Sequence, residues 1–500
     1  MVYGHICYEI ILNYFCTMKQ IFRAIFFLHV IICCTDVQAQ DSGEWTLQRS
    51  VQYALEHNIT IQQNELNRRL EKLTLQQTRL SQLPSINAST GYGRSFGRSI
   101  DPTTNQFVNG SSYDFMSMSG SADVLLFGWF QKWNSIAQSK YTLEAANKDI
   151  EQIKNDVSLN VATGFLRLLM ANEQVKINEK QVALSQQQLD QTRSFAEAGT
   201  VPELNVAQLE AQLASDSSNL IAAISEENAA MLDIKALLNL DFETEYTPSV
   251  PEIDISKDFS NAYLEPEDIY EAAVKNLPTV YSAELRLKAA KKGYAVAKGG
   301  LLPQLSLSAQ AGTNYSTLNK DYTVTGITND VVQGSFAYDS VNNSVYQIYQ
   351  ATPVFTTNTL PLGKQFDNNF RQSVSLGLNI PLFNGWSAQT NVSRAKVNML
   401  SQQLNVQQAE LKLRQDVYKA HNDVRNSLQK YFSAVRAEEA AKRAYDFAQK
   451  RNELGLTNTV EYLVTQNNWY RAAGNMTSAK YDLIFKLKVI DYYLGNEIKL

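Results

Sequence analysis

Apolar positions along this chain switch between two periods, and the switch happens twice in the same order. Residues 45–82 and 265–301 space their apolar side chains for helix and are rich in Leu, Gln, Lys and Ala. Pro84 and Pro303 end them, because proline lacks an amide donor and disfavours the α conformation in the residue before it. After each proline the period drops to two. Ile86, Ala88, Thr90 and Tyr92 share one face, and Met116, Met118, Ala122 and Val124 do the same in the returning segment. Leu305, Leu307, Ala309 and Ala311, then Val374, Leu376, Leu378 and Ile380, repeat the rule, with mostly Ser, Asn, Gln and Gly between them. Runs of about ten residues with one apolar face and one small polar face suit a barrel wall between lipid and water. The alternative is a half-buried strand of a soluble sandwich. Four such strands, each pair flanked by long helices, favour the wall.

The helical period then returns for much longer. Residues 130–198 and 386–454 each predict one helix of roughly 68 residues, about 100 Å at 1.5 Å per residue. Their narrow apolar stripes, such as Val175, Val182 and Leu189, predict shallow packing of helix on helix. Breaks follow at Gly199–Pro202 and around Gly455, and shorter helices over 203–238 and 457–494 run back. The pieces 203–238 and 265–301 together match the length of one long helix and are expected to lie end to end beside it. Gly455 follows Gly199 by 455 − 199 = 256 positions, as Phe383 follows Phe127 and Val417 follows Val161. Pro303 follows Pro84 by only 303 − 84 = 219, so the second copy carries an insertion before Phe383. The chain is an internal duplication. It divides into a first repeat over 40–240, an acidic, proline-bearing linker or equatorial segment over 241–264, and a second repeat over 265–500. Within the second repeat, residues 317–369 form an external loop able to build strands of its own.

Composition narrows the class. A hydrophobic fraction of 44% with 19% charged residues marks a folded protein, and the net charge of −5 lends no support to nucleic-acid binding. Residues 1–39 read as a secretory signal: Lys19 and Arg23 precede an apolar core from Ile25 to Cys34, and Val37-Gln38-Ala39 offers a cleavage site. Translation starting at Met18 is an alternative. So is acylation of Cys33 or Cys34, which the bulky Ile32 disfavours. All four cysteines (Cys7, Cys16, Cys33, Cys34) fall in this segment, so cleavage leaves neither a disulfide framework nor thiolate chemistry. No later segment reads as a spanning helix, so strands must make any membrane crossing.

Four strands cannot close a barrel, and an open edge in lipid strands amides and carbonyls at several kcal/mol each. Neighbouring copies must therefore complete the wall. Two copies give about eight strands with a filled interior, and three give about twelve with a lumen. The short inward residues Ser85, Asn87, Ser306, Ser308, Ser373 and Ser375 favour the open, cyclic trimer. Each long helix then projects away from the barrel and reverses at its far end. Gly199 and Gly455 leave helical geometry cheaply there, and Pro202 fits the first turn of a returning helix. The aromatics Phe127, Trp129, Phe130, Trp133, Phe383 and Trp386 stand where strand becomes helix and fit an interface girdle, with core packing as the alternative.

The duplicated plan, the Leu83-Pro84 and Leu302-Pro303 steps, "PLFNGW", the tip motifs "FAEAGTVPELNVAQLEAQL" and "RNELGLTNTVEYLVTQ", and the closing "YYLGNE" resemble the TolC-like outer-membrane efflux family over residues 44–495. The resemblance implies an α+β membrane protein of the outer membrane: a homotrimer whose twelve-stranded β-barrel, four strands per chain, continues into a long α-helical barrel in the periplasm. It implies a passive porin-like exit duct of a tripartite efflux or type I secretion system. Its implied partners are a periplasmic adaptor (membrane fusion) protein, an inner-membrane transporter and outer-membrane lipid. The family's adaptor-docking turns map onto Gly199, Thr200, Val201 and Pro202, and onto Gly455, Leu456, Thr457 and Asn458. Its acidic gate, six positions after each tip glycine, maps onto Asn205 and Glu461, so only the second copy keeps the acid. A further family acid corresponds to Val464, and the tyrosine before the glycine is replaced by Phe195 and Asn452, which leaves the gate altered. Three Glu461 carboxylates about a threefold axis would prefer cations; alternatively Glu461 simply solvates the first turn after the break. A periplasmic coiled-coil scaffold with a soluble β-domain is the competing reading of the whole chain.

Catalytic chemistry finds little footing. His57 and His421 are the histidines beyond the leader, on separate helices and outside any metal-ligand spacing, and His421 aligns with Phe165 of the other copy. Neither a nucleophile motif nor a phosphate-cradling glycine loop is present. No enzyme activity, metal or cofactor is expected.

Overall fold

The computed structural model describes residues 44–101, 103–105, 107–108, 112–250, 263–454 and 456–496. The expected leader with its four cysteines, the linker residues 251–262 and the tip residue Gly455 lie outside these.

The duplication is visible in element lengths. Helices α1 (Leu47–His57) and α5 (Pro266–Asn276) have 11 residues each, and α2 (Ile59–Leu80) and α6 (Pro278–Gly299) have 22. The long helices α3 (Gln131–Glu197) and α8 (Ser387–Glu453) have 67 each, and the returning helices α4 (Glu203–Leu238) and α9 (Thr459–Leu494) have 36. Residues 45–82 and 265–301 are thus two helices apiece, where apolar spacing predicts one. The breaks have local causes. Asn58 caps α2 by accepting from the amides of Thr60 and Ile61, and Pro278 occupies the first turn of α6. Asn58 and Asn276 each donate their side-chain amide to the carbonyl end of a returning helix, at Leu237 (3.1 Å) and Leu494 (2.7 Å).

α3 packs against α4 along one part of its length and against α6 along another, the end-to-end arrangement that the lengths require. α6 also packs on α8, whose lower part pairs with α9. Two apolar cores form where these helices converge. Phe165, Leu168 and Leu169 of α3 meet Ile234 and Leu238 of α4; Val417 and Val424 of α8 meet Leu483, Leu487 and Ile490 of α9. Each such side chain contributes about 1.5–3 kcal/mol on burial. Toward the helix tips only a stripe remains: Val175 and Leu189 are buried and Val182 half-buried. No helix among the described residues is long and apolar enough to cross a membrane.

The strands gather into one antiparallel sheet of order β10-β7-β5-β2: β2 (Ser85–Ser95), β5 (Tyr113–Phe127), β7 (Gln304–Ser316) and β10 (Arg371–Asn379). Strand β1 (Glu44–Trp45) pairs in parallel with β6 (Thr247–Pro248), tying the described part of the linker to the start of the first repeat. A short ribbon of β3 (Ser99–Ile100) and β4 (Phe107–Val108) crosses the outer turn of the first hairpin. The second hairpin's insertion holds a long two-stranded ribbon, β8 (Lys320–Asp339) with β9 (Ser344–Thr359), followed by the short helix α7 (Leu362–Asn368).

Candidate functional site

Residues opposite one another on antiparallel strands project from the same face. The observed register therefore tests whether the four alternations add up. Ile86 lies opposite Ala122, Ala122 opposite Ala309 and Ala309 opposite Val374; Val124, Leu307 and Leu376 make another such row. The paired members of every apolar set fall on one face; Ile380 lies one residue past the end of β10. The other face carries rows such as Asn87, Ser121, Gln310 and Ser373, or Asp123, Ser308 and Ser375. No second layer covers the apolar face among the described residues: Ile86 is 80% exposed and Val374 74%. The apolar band runs from Leu305 to Tyr315, about 34 Å along the strand, which a tilt of about 40° projects to about 26 Å, close to the 25 Å band of a barrel wall.

Aromatic side chains rim this band at both ends. Phe127 belongs to the polar face by simple alternation from Val124. A bulge at Leu126 shifts the register so that Phe127 pairs with Leu305 on the apolar face, the re-aiming a bulge permits. Phe127 lies 5.4 Å from the ring of Trp129; Trp133 stands exposed at the same strand-to-helix junction, and Phe383 and Trp386 at the second copy's equivalent. The opposite rim is a row of Tyr92, Met116 and Tyr315. Tyr315 is absent from the sequence-based girdle, because only the register aligns it with Tyr92.

At the other end of the molecule each long helix closes on its own carbonyls. The Thr200 amide donates to the Phe195 carbonyl (2.9 Å) and the Gly199 amide to that of Ala196 (2.9 Å), with Gly199 left-handed at φ +73°. This is a Schellman closure. The Leu456 amide makes the equivalent bond to Arg451 (2.8 Å) in the second copy. Pro202 is the N-cap of α4, one residue earlier than a first-turn proline, and Val201 is half-buried. Asn458 caps α9 by accepting from the Val460 amide, and the Thr457 hydroxyl is buried without a partner among the described residues. Phe195, Leu204, Leu454 and Leu456 leave apolar surface exposed around both turns. Of the gate positions, Asn205 is half-buried and its amide bonds the Pro202 carbonyl (3.0 Å). Glu461 is exposed and lies 3.3 Å from Arg451, which also donates to the Leu456 carbonyl (3.1 Å).

A polar lock sits just above the tips, at residues that sequence reasoning did not single out. Asp216 of α4 is 2% exposed and accepts from Gln181 (2.6 Å), Ser185 (2.5 Å) and Gln212 (2.8 Å). Gln181 and Gln212 also donate to Asn467 of α9, and Asn467 donates back to Gln212 (3.1 Å). The lock thus joins the first copy's coil to the second copy's returning helix. On its far side Gln188 donates to the Tyr462 hydroxyl (2.6 Å), Trp469 stacks on Tyr445, and Gln466 is buried with neither amide atom bonded. Burial, with the neighbouring Tyr445 and Asp216, pushes the Tyr470 hydroxyl up to about 12, so it stays neutral. Leu209, Asp216, Ala223 and Ala230 recur every seven residues as the buried stripe of α4, so a carboxylate at a core position was the available signal. Elsewhere His57 of α1 stacks on Tyr53 at the surface and His421 of α8 is half-buried, and no group of His, Cys, Asp and Glu able to hold a metal occurs among the described residues.

The sequence profile of the outer membrane efflux protein family matches residues 50–240 and 269–496. No curated protein sequence matches the chain. Among solved structures, the CmeC outer membrane channel of Campylobacter jejuni superposes with a TM-score of 0.68 at 18% identity, covering 90% of this chain and 85% of that one. The outer membrane protein VceC of Vibrio cholerae gives 0.65 at 13%, covering 90% and 96%. The Neisseria gonorrhoeae MtrE outer membrane channel in its open state gives 0.65 at 16%, covering 90% and 89%. At these identities the likeness carries the fold.

Proposed function

This chain belongs to the outer membrane efflux protein family, and from that premise we propose that it is the passive exit duct of a tripartite efflux or type I secretion system. Three copies close a twelve-stranded barrel in the outer membrane, and their helices form a tunnel into the periplasm. One observation carries the reading: a four-stranded sheet, apolar on one face and polar on the other, whose outer strands β2 and β10 are paired on one side only among the described residues. Repeat symmetry supports the closure. β5 of the first copy pairs with β7 of the second, and α6 of the second packs on α3 of the first. The same contacts, advanced by one repeat, bring β10 onto β2 of the next copy and that neighbour's α2 onto α8. Leu66, Leu70 and Leu73 stand exposed on α2, and Val397, Leu404 and Leu411 on α8, at the spacings of a helix–helix seam.

The repeats 40–240 and 265–500, joined by 241–264, each supply two strands and half of a protomer's share of the tunnel. An adaptor protein docks on the exposed apolar turns around Gly199 and Gly455, and an inner-membrane transporter supplies the energy. Opening swings α8 and α9 away from α3 and α4 and breaks the bonds of Asn467 to Gln181 and Gln212. In this conformation Arg451 pairs with Glu461, and freeing that acid on opening would give the entrance its cation preference.

Membrane extraction tests the reading directly. The expected result is a detergent-requiring, heat-modifiable trimer that conducts ions in planar bilayers and crosslinks an adaptor from Thr200→Cys or Thr457→Cys. A detergent-free, soluble monomer would overturn it.

A further inference from the structure

The β8–β9 ribbon has two unlike faces. Register places Tyr322, Val324, Ile327, Tyr338, Tyr349 and Phe355 on one side, with Tyr322 and Phe355 in edge contact at 6.4 Å between ring centres. Asp321, Asp330 and Asp339 all lie on the other, among Thr323, Thr328 and Thr352, where Tyr346 and Val354 are exposed apolar exceptions. Beyond Lys320 at its base, the apolar side carries no ionisable group apart from the tyrosines.

None of this apolar side is covered: Ile327 is 70% exposed and Tyr322 65%. The exposed apolar side chains amount to roughly 800 Å² per copy, about the half-share of a standard protein interface and above the patch size a lone surface usually shows.

The ribbon is also held at a fixed root. Gln365 of α7 is fully buried, donates to the carbonyls of Ser316 (2.9 Å) and Leu360 (2.8 Å) and accepts from the Ser316 amide (2.9 Å). The Ser316 hydroxyl donates to Asp101 of the first repeat's outer loop (2.5 Å), and Thr317 and Asp114 bond backbone to backbone. A root so fully bonded has already lost the entropy that a free loop would lose on binding.

From these features we infer that the apolar face of each ribbon packs against the ribbons of neighbouring copies, extending the assembly beyond the outer rim of the barrel. The inference rests on the trimeric reading above. Position and charge both favour a second copy as occupant. The ribbon springs from the turn between β7 and β10, beside the edge strand that meets the next protomer. Its acids all point away, so like-charged copies bring no carboxylates together.

The described residues contain no cysteine, so a single introduced one is unique among them. Val345→Cys sits on the apolar face near the ribbon tip, and Asp330→Cys sits on the polar face. A short bis-maleimide reagent applied to intact cells is expected to give covalent oligomers of this chain from Val345→Cys, and to lose them at Asp330→Cys. Equal yields at both positions, no oligomer from Val345→Cys, or capture of lipid or another protein instead would overturn the proposal. A variant with 320–359 replaced by a short turn separates the two readings. If it remains a heat-modifiable trimer while Val345→Cys fails to crosslink, only the ribbon proposal falls; if the full-length chain is monomeric, the trimeric reading falls with it.

Discussion

Trp129 and Phe130 both sit in the left-handed backbone region, at φ 49° and 62°, immediately before α3. The second copy needs the same turn and makes it with Gly385 and Trp386, at φ 65° and 68°. A side chain in this region costs about 1–2 kcal/mol, so the first copy carries strain that glycine spares the second. What that strain secures is an additional exposed ring beside Phe127 at the boundary of the apolar band. Asp101 shows a different single-residue bargain. Burial alone would raise its carboxyl, but donors from Ser316 and Thr103, with the Thr104 amide, outweigh burial and hold it below its ordinary value. A lowered folded value means that its stabilisation is complete above the unfolded value and disappears as pH falls through the folded one. Asp101→Ala is therefore expected to loosen the ribbon root at neutral pH by about 1–3 kcal/mol, read as faster hydrogen exchange at the Ser316 amide. Wild-type protection should fall in acid, whereas the variant's should change little over the same range.

At the scale of elements, the returning helices decide whether the tip holds or opens. The lock at Asp216 places hydrogen-bonded polar groups where a coiled seam would carry apolar ones, which fixes register at a cost in stability. Asn467→Ala leaves Gln181 and Gln212 short of an acceptor and is expected to favour the open tip, read as higher single-channel conductance and greater drug susceptibility. Gln466→Leu removes an orphaned buried amide and is expected to act the opposite way. Lower conductance from Asn467→Ala would refute the lock. Much of this level was legible in advance. Strands alternate, prolines and glycines punctuate, and the long helices run within a residue of the bounds that spacing predicts. The helix breaks at Asn58 and Pro278 were missed because a capping asparagine and a first-turn proline interrupt hydrogen bonding without interrupting the apolar period. The bulge at Leu126 was invisible for a related reason, since an inserted residue shows only against its partner strand. For Asp216 the seven-residue stripe with Leu209, Ala223 and Ala230 marks a core position, but its donors Gln181 and Ser185 come into view only when α3 is seen beside α4.

For the whole molecule, the duplication makes the missing interface calculable. The two hairpins share one register: Ile86 faces Ala122 as Leu305 faces Leu378. Shifts of 305 − 86 = 219 and 378 − 122 = 256 therefore carry first-copy strands onto second-copy ones. Within the chain, Gly120 of β5 faces Ala311 of β7. Advancing Gly120 by 256 gives Leu376 of β10, and returning Ala311 by 219 gives Tyr92 of β2. If three copies close one barrel by the repeat's own geometry, Leu376 of each copy stands opposite Tyr92 of the next. Both side chains lie on the apolar face, and both are more than 60% exposed in the single chain, as an uncompleted wall requires. A protein carrying Leu376→Cys and Tyr92→Cys should form covalent trimers in outer membranes treated with a short thiol crosslinker. Leu376→Cys with Ala88→Cys, displaced by four residues or about 13 Å along β2, should not. Strong linkage from the displaced pair would mean that protomers meet in another register. That would keep apolar residues on one face but offset the apolar band by about 13 Å at the seam between copies, a step that none of the three internal strand pairings shows.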